Sequence, residues 1–168
     1  MSDSRLQEIM TRAVVGRAEQ TLTWCHKLAA SGMQQVLGVR VGKVTVGVEM
    51  EEGRPLAQLT ADCDLWCSDG EETKVLHSRC RTVHEVPVSP RGEVLGDLQS
   101  QIQLVSGPRS TGVRVEGEWI YIDFEATVQV EMIALARLWV KAFEMDLSPV
   151  TGEEWDSSGD SASPYGSH

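Results

Sequence analysis

The sequence predicts a mainly β protein, an antiparallel β-sandwich-like single domain followed by an acidic tail. The strongest indication is the segment from Ile120 to Glu131, in which apolar and polar residues alternate without interruption. Successive side chains of a strand point to opposite faces, so this segment has one apolar and one polar face. The same alternation recurs along the chain between turn signals. Such strands are typical of an antiparallel sheet that rests one face on a core and exposes the other.

The first part of the sequence has the least regular pattern of apolar and polar residues. Residues from Ser4 to Val15 fit a possible short N-terminal helix capped by Ser4, or equally the start of a strand. A strand is predicted from Gln20 to His26. Between Val39 and Met50 the apolar residues change from odd to even positions at Gly42-Lys43, which predicts a bulge or a bend.

Two turn signals organise the middle of the chain. The residues from Glu51 to Pro55 predict a turn, and a strand from Ala57 to Ser68 follows it. Asp69-Gly70 is the strongest hairpin signal in the chain. The returning strand is predicted from Thr73 to Val88, with Pro87 marking its end at a sheet edge.

The last third predicts the long strand and its neighbours. Residues from Leu98 to Val105 fit a short strand or a helix, and Gly107-Pro108 predicts a break after them. Glu116-Gly117 predicts the turn into the long strand. Residues from Ile133 to Phe143 fit both periodicities, and we favour a strand because no turn signal precedes them and a sheet needs a neighbouring strand.

The composition divides the chain at about residue 143. Residues 1–143 predict the β-rich domain, whereas residues 144–168 are rich in Asp, Glu, Ser and Gly and contain no Lys or Arg. Such a segment cannot bury enough apolar area to offset the backbone entropy that ordering costs, about 1–2 kcal/mol per residue. We therefore expect a disordered acidic tail.

The charge of the chain limits its partners. The formal net charge is −10, which argues against binding the phosphate backbone of nucleic acid and against direct adsorption to an anionic membrane. The N-terminal residues contain no apolar stretch typical of a signal peptide, so we expect synthesis in a cytoplasm.

Four cysteines, Cys25, Cys63, Cys67 and Cys80, are expected to be reduced thiols. The second to fourth of these, together with His77 and His84, are candidate zinc ligands by residue type. Their spacing is poor, because Cys63 and Cys67 would lie about 13 Å apart along one strand face. We therefore expect Cys63, Cys67 and Cys80 to be small buried apolar residues. A metal-binding or small-molecule-binding β domain that uses this hairpin remains the alternative hypothesis.

No motif of catalysis or of cofactor binding occurs in the sequence. There is no nucleophile elbow and no glycine-rich phosphate loop, and Cys80 and His77 would point to opposite strand faces. The carboxylates of Asp62 and Asp64 share one face and are expected to be solvated. We expect no enzymatic activity and no cofactor.

Tryptophan is more frequent than phenylalanine or tyrosine in this chain. Trp24, Trp66 and Trp139 fall within predicted strands and are expected to pack in the core or between sheets. Trp155 stands alone within the acidic tail. An isolated aromatic residue in a charged segment is a candidate docking motif, here Glu153, Glu154, Trp155 and Asp156.

Several segments, in order along the chain, resemble the family of outer spore coat morphogenetic proteins typified by CotE. They are EIMTRAVVGR (Glu8 to Arg17), VLGVRV (Val36 to Val41), LWCSDGEETKV (Leu65 to Val75), GEWIYIDFEATVQVEM (Gly117 to Met132) and ALARLWVK (Ala134 to Lys141). A Trp-containing acidic tail follows in both. The resemblance covers about residues 6–156, and the cysteine and histidine residues of the hairpin are not part of it.

The resemblance implies a non-enzymatic scaffold. Proteins of that family are made in the mother-cell cytoplasm, self-associate, and form part of the spore outer coat over the basement layer, where they recruit other coat proteins. Client recruitment would fall on Glu144 to Asp160, although this tail is shorter and less acidic than the family's. Unpaired sheet edges are templates for another copy, so we expect residues 1–143 to assemble as a homo-oligomer and the tail to dock partners.

Overall fold

Six β-strands make up most of the residues 5–142 that the computed structural model describes. Strands β1 and β2 are Arg5–Ala29 and Gln35–Glu51, β3 and β4 are Arg54–Ser68 and Thr73–Glu85, and β5 and β6 are Val94–Glu116 and Trp119–Ala142. No helix occurs within residues 5–142. The mainly β class is therefore confirmed.

The strands form two antiparallel three-stranded sheets. The strand orders are β1-β6-β5 and β2-β3-β4. Both sheets contribute residues to a shared core. Ile120, Ile122 and Phe124 of β6 lie in one cluster with Ala61, Cys63 and Leu65 of β3. The sandwich-like arrangement thus follows from two sheets that each bury one apolar face.

The chain divides into two compact units by its internal contacts. One is Glu8–Leu138, and the described residues of the other are Arg5–Gln7 and Trp139–Ala142. The core and the surfaces considered below belong to Glu8–Leu138. The predicted tail of residues 144–168, including the candidate docking motif at 153–156, lies outside the described residues.

Strand β6 confirms the alternation that predicted it. Every even-numbered residue from Ile120 to Ala136 is buried, whereas the odd-numbered residues are half-buried or exposed. The strand continues to Ala142, so the preference for a strand after Ile133 is also confirmed. Strand β3 shows the same pattern with its odd-numbered residues buried, from Pro55 to Cys67.

The possible N-terminal helix is not present, because β1 runs without interruption from Arg5. The helical interpretation required Leu6, Ile9, Met10 and Ala13 to share a buried face. Instead Leu6 and Met10 are exposed, and Val15 is buried. Pairing of β1 with β6 stabilises the extended form, since an isolated helix of this length has little stability of its own.

Three turn and bulge predictions are confirmed. Asp69 Oδ1 accepts hydrogen bonds from the backbone N–H groups of Glu71 and Glu72 at 2.9 and 2.8 Å, which closes the β3–β4 hairpin. Glu52 and Gly53 both have positive φ, as the tight β2–β3 turn requires. The register of β2 against β3 shifts between Val41 and Val44, where the sequence parity changes.

The predicted break at Gly107-Pro108 is wrong, because β5 continues through it to Glu116. Residues 98–105, whose pattern fits a short strand or a helix, are part of the same strand. The register of β5 against β6 shifts on both sides of Gly107, whose φ is +79°. The extra residues of β5 form bulges, and the hydrogen-bonded pairing of β5 with β6 continues beyond them. The pairing on both sides of Gly107-Pro108 stabilises the strand more than the local sequence favours a turn.

Candidate assembly surfaces

An apolar row crosses the solvent face of the β2-β3-β4 sheet near its hairpin end. Trp66 of β3 lies between Gly38 of β2 and Val75 of β4 in the strand register. Leu37, Trp66 and Val75 are 54 %, 36 % and 43 % exposed. Because Gly38 has no side chain, the indole ring approaches to 3.9 Å from the position that a Cβ would take there. We call Leu37, Trp66 and Val75 the outer apolar row.

The expectation that Trp66 and Trp139 pack in the core is wrong. Leu65 and Cys67 point into the core, so Trp66 between them must point to solvent. Trp139 is likewise exposed. Trp24 is placed as expected, since its ring stacks on Phe124 with the centroids 5.6 Å apart.

Charged side chains continue the same solvent face beyond the outer apolar row. Asp64 bonds to His77, and Asp62 accepts a hydrogen bond of 2.8 Å from Arg79 Nε. The bond from Arg79 lowers the pKa of the Asp62 carboxyl. Both carboxylates lie on a solvated face, as expected. Each pairs with a side chain of β4, Asp64 with the His77 imidazole and Asp62 with the Arg79 guanidinium.

The sheet separates the three buried cysteines of the hairpin from His77, whereas His84 lies on the inward face of β4 beside Trp24. Cys63, Cys67 and Cys80 are buried, as expected, whereas His77 points to solvent on the opposite face. Burial raises the pKa of the Cys63 thiol to about 11, which disfavours the thiolate that metal binding needs. Within residues 5–142, no group of three or more His, Cys, Asp or Glu side chains is placed to hold a metal ion. This geometry therefore provides no set of metal ligands for the alternative hypothesis of a metal-binding hairpin.

The four edge strands differ in the regularity of their pairing and in the charge of their side chains. β1 and β5 flank one sheet, and β2 and β4 flank the other. β5 is interrupted by four register shifts and β2 by two. β4 directs His77, Arg79 and Arg81 outward along one face. Irregular and charged edges are common protections against unwanted strand pairing.

Leu37 and Val75 were not identified as surface residues from the sequence. A signal was present for Val75, since it lies next to Leu76, an apolar residue of opposite parity. In a strand, two adjacent apolar residues cannot share one face, so one of them must point away from the core. Leu37 shares the parity of Val39 and Val41, which pack against the core, and it lies at the register shift between Val36 and Gly38. Only the structure shows that Leu37 and Val75 flank Trp66.

The comparisons with known proteins gave no relative. No protein-family model matches the chain, and neither the curated proteins nor the solved structures contain a match. The search for a helix long and apolar enough to cross a membrane found none among residues 5–142.

Proposed function

We propose that this chain is a non-enzymatic scaffold that self-associates and recruits other proteins to the outer coat of a developing bacterial endospore. The observation that carries the proposal is the outer apolar row on a solvent face of the β2-β3-β4 sheet. The family resemblance of the sequence supplies the biological setting: synthesis in the mother-cell cytoplasm, followed by a place in the outer coat.

The outer apolar row supports protein binding rather than catalysis. Exposed apolar residues that cluster, unlike those scattered singly, mark interaction surfaces. Tryptophan is enriched at the centres of such interfaces because its large rigid ring buries much area at little entropic cost. Trp66 is central to the row, and Leu37 and Val75 border it on the two neighbouring strands.

The proposal divides labour between the two parts of the chain. The β domain (residues 1–143) assembles copies of the protein, and the acidic segment (residues 144–168) docks client coat proteins. Glu153, Glu154, Trp155 and Asp156 are the docking candidates, since they combine an aromatic anchor with carboxylates. No contact with nucleic acid or membrane is required.

Light scattering coupled to size-exclusion chromatography tests the assembly. We expect large species whose mass rises with protein concentration. A Trp66→Ala variant should reduce that mass, whereas Thr60→Ala, on the same solvent face, should leave it unchanged. A discrete monomer at every concentration would refute self-association. Deleting residues 147–168 should preserve assembly, and loss of the oligomers would contradict the division of labour.

Localisation in a sporulating cell tests the setting. A fluorescent fusion should first fill the mother cell and then form a shell around the developing spore. A signal that stays diffuse throughout sporulation, in cells where the fusion is intact, would argue against a coat function.

A further inference from the structure

We propose that two copies of this chain pair antiparallel through the outer edge of β1, about a two-fold axis at Thr23. The two β1-β6-β5 sheets would then form one continuous six-stranded sheet. This inference rests on the proposed self-association and adds a second contact between copies to the outer apolar row.

The edge of β1 is open over a long and regular stretch. β6 lies on one side of β1, and no strand lies on its other side within the described residues. The backbone N–H of Arg91 donates to the Val15 carbonyl oxygen at 2.7 Å, and Val88 and Ser89 pack against Gly16. Side chains of β1 and β4 meet at His26 and Ser78, but among the described residues no strand other than β6 pairs with the β1 backbone from Arg17 to Ala29.

The other three edges are less suited to self-pairing. The register shifts of β5 and β2 interrupt the even spacing of N–H and C=O groups that a partner strand needs. β2 also lies beside β5. Pairing of β4 with a second β4 about an axis at Cys80 would bring Arg79 of each copy opposite Arg81 of the other, and like charges on adjacent strands repel.

The solvent face of β1 is complementary to itself in one antiparallel register. The outward residues from 17 to 27 are Arg17, Glu19, Thr21, Thr23, Cys25 and Lys27. A two-fold axis at Thr23 places Glu19 of each copy opposite Lys27 of the other and Thr23 opposite Thr23. An axis at Leu22 instead opposes Arg17 to Lys27, which are like charges. Opposite charges and paired threonines are favourable cross-strand partners.

Neither charged group of this pairing is held in an ion pair among the described residues. Glu19 is exposed and has no basic side chain within salt-bridge distance among the described residues. Lys27 Nζ lies over the Trp119 ring, 3.9 Å from its centroid. Trp119 belongs to β6, so the ammonium group would turn from that ring toward the outer edge of β1 to meet Glu19 of the second copy.

Charge reversal tests the register. Glu19→Lys and Lys27→Glu each place like charges opposite one another twice in the dimer, and each should weaken association about tenfold or more. The double variant restores both pairs and should return the dissociation constant, measured by sedimentation, to within about threefold of the original. Far-ultraviolet circular dichroism checks that each variant retains its strand content.

Cysteine cross-linking tests the two-fold axis independently. In a Cys25→Ser background, Thr23→Cys should oxidise to a covalent dimer that a reductant separates. Thr21→Cys is the matched control, since the two copies of residue 21 would lie about 13 Å apart along the strands. Equal cross-linking of both variants would overturn the inference.

The failure of the inference and the failure of the proposed function are distinguishable. Association that persists unchanged in all the charge variants would remove β1 as the interface and leave the scaffold proposal in place. A chain that stays monomeric at every concentration would remove both.

Discussion

The Nε2 atom of His26 lies 2.8 Å from the Ser78 hydroxyl oxygen, a hydrogen bond that joins β1 of one sheet to β4 of the other. Beside it, the Trp24 ring contacts the His84 ring at a centroid distance of 6.2 Å. Burial lowers the pKa of both imidazoles. This side of the sandwich therefore favours neutral histidines.

We expect acid to destabilise the fold between pH 7 and pH 5. The unfolded imidazoles take up protons near pH 6.5, whereas folded His26 and His84 take them up only at lower pH. The folded state binds fewer protons in that window, so the free energy of unfolding falls as the pH falls through it. Carboxyl groups contribute little there, because their unfolded pKa values lie near 4. Thermal unfolding followed by circular dichroism measures the change.

The double variant His26→Gln and His84→Gln provides the control for this pH dependence. Its absolute stability can differ, but its unfolding midpoint should change less between pH 7 and pH 5 than that of the original protein. An equal slope in both proteins would show that other groups cause the acid sensitivity.

We expect one of the four thiols to react in the folded protein. Cys25 is exposed, whereas Cys63, Cys67 and Cys80 are buried. Desolvation raises the pKa of all four thiols, that of Cys63 to about 11, so access of the reagent decides which thiol reacts. Titration with a coloured thiol reagent at pH 8 should release one equivalent quickly and three more after denaturation. Cys25→Ser should remove the fast phase, and a fast phase that remains would place another thiol at the surface.

We expect Gly107→Ala to destabilise the fold more than Gly96→Ala. Both glycines lie in β5 with φ near +80°, a conformation that costs alanine about 1–2 kcal/mol. A Cβ at Gly107 would also lie 2.7 Å from the Glu125 carbonyl oxygen, whereas nothing lies within 4 Å of one at Gly96. The extra cost should be about 1–3 kcal/mol. Urea unfolding of both variants measures the difference, and equal losses would contradict the close approach.

We expect Leu65 to stabilise the fold and Leu37 to contribute little to its stability. Leu65 is fully buried, so Leu65→Ala should leave a cavity and cost about 2–5 kcal/mol of unfolding free energy. Leu37 lies on the outer apolar row, and Leu37→Ala should change stability by less than about 0.5 kcal/mol. Chemical denaturation of both variants gives the comparison. A large loss of stability in Leu37→Ala would mean that the row serves the fold instead of a partner.

Alternation predicted the strands wherever one strand face meets the core. Strands β3 and β6, the Asp69 hairpin and the bulge after Val41 lie where the residues indicate them. At the N-terminus the spacing of apolar residues fits a helix and a strand equally well, and the structure shows the strand. The prediction of a break at Gly107-Pro108 was wrong, because long ladders on both sides of a bulge outweigh a local turn signal.

The candidate surfaces were less accessible to sequence reasoning than the strands. A large apolar side chain such as Trp66 predicts burial by its type alone, and the parity of its neighbours was the better guide. The outer apolar row joins residues of three strands, and only their register brings Leu37, Trp66 and Val75 together.

The sequence by itself determined the β class, the turns and the inward side of the regular strands, because these depend on contacts between residues close in the chain. The tertiary structure alone decided that β1 is an extended edge strand, and that His26 meets Ser78. Those features depend on which strands pair and on which sheet faces meet. The free energy that selects them comes from burial between residues far apart in sequence, which no local pattern records.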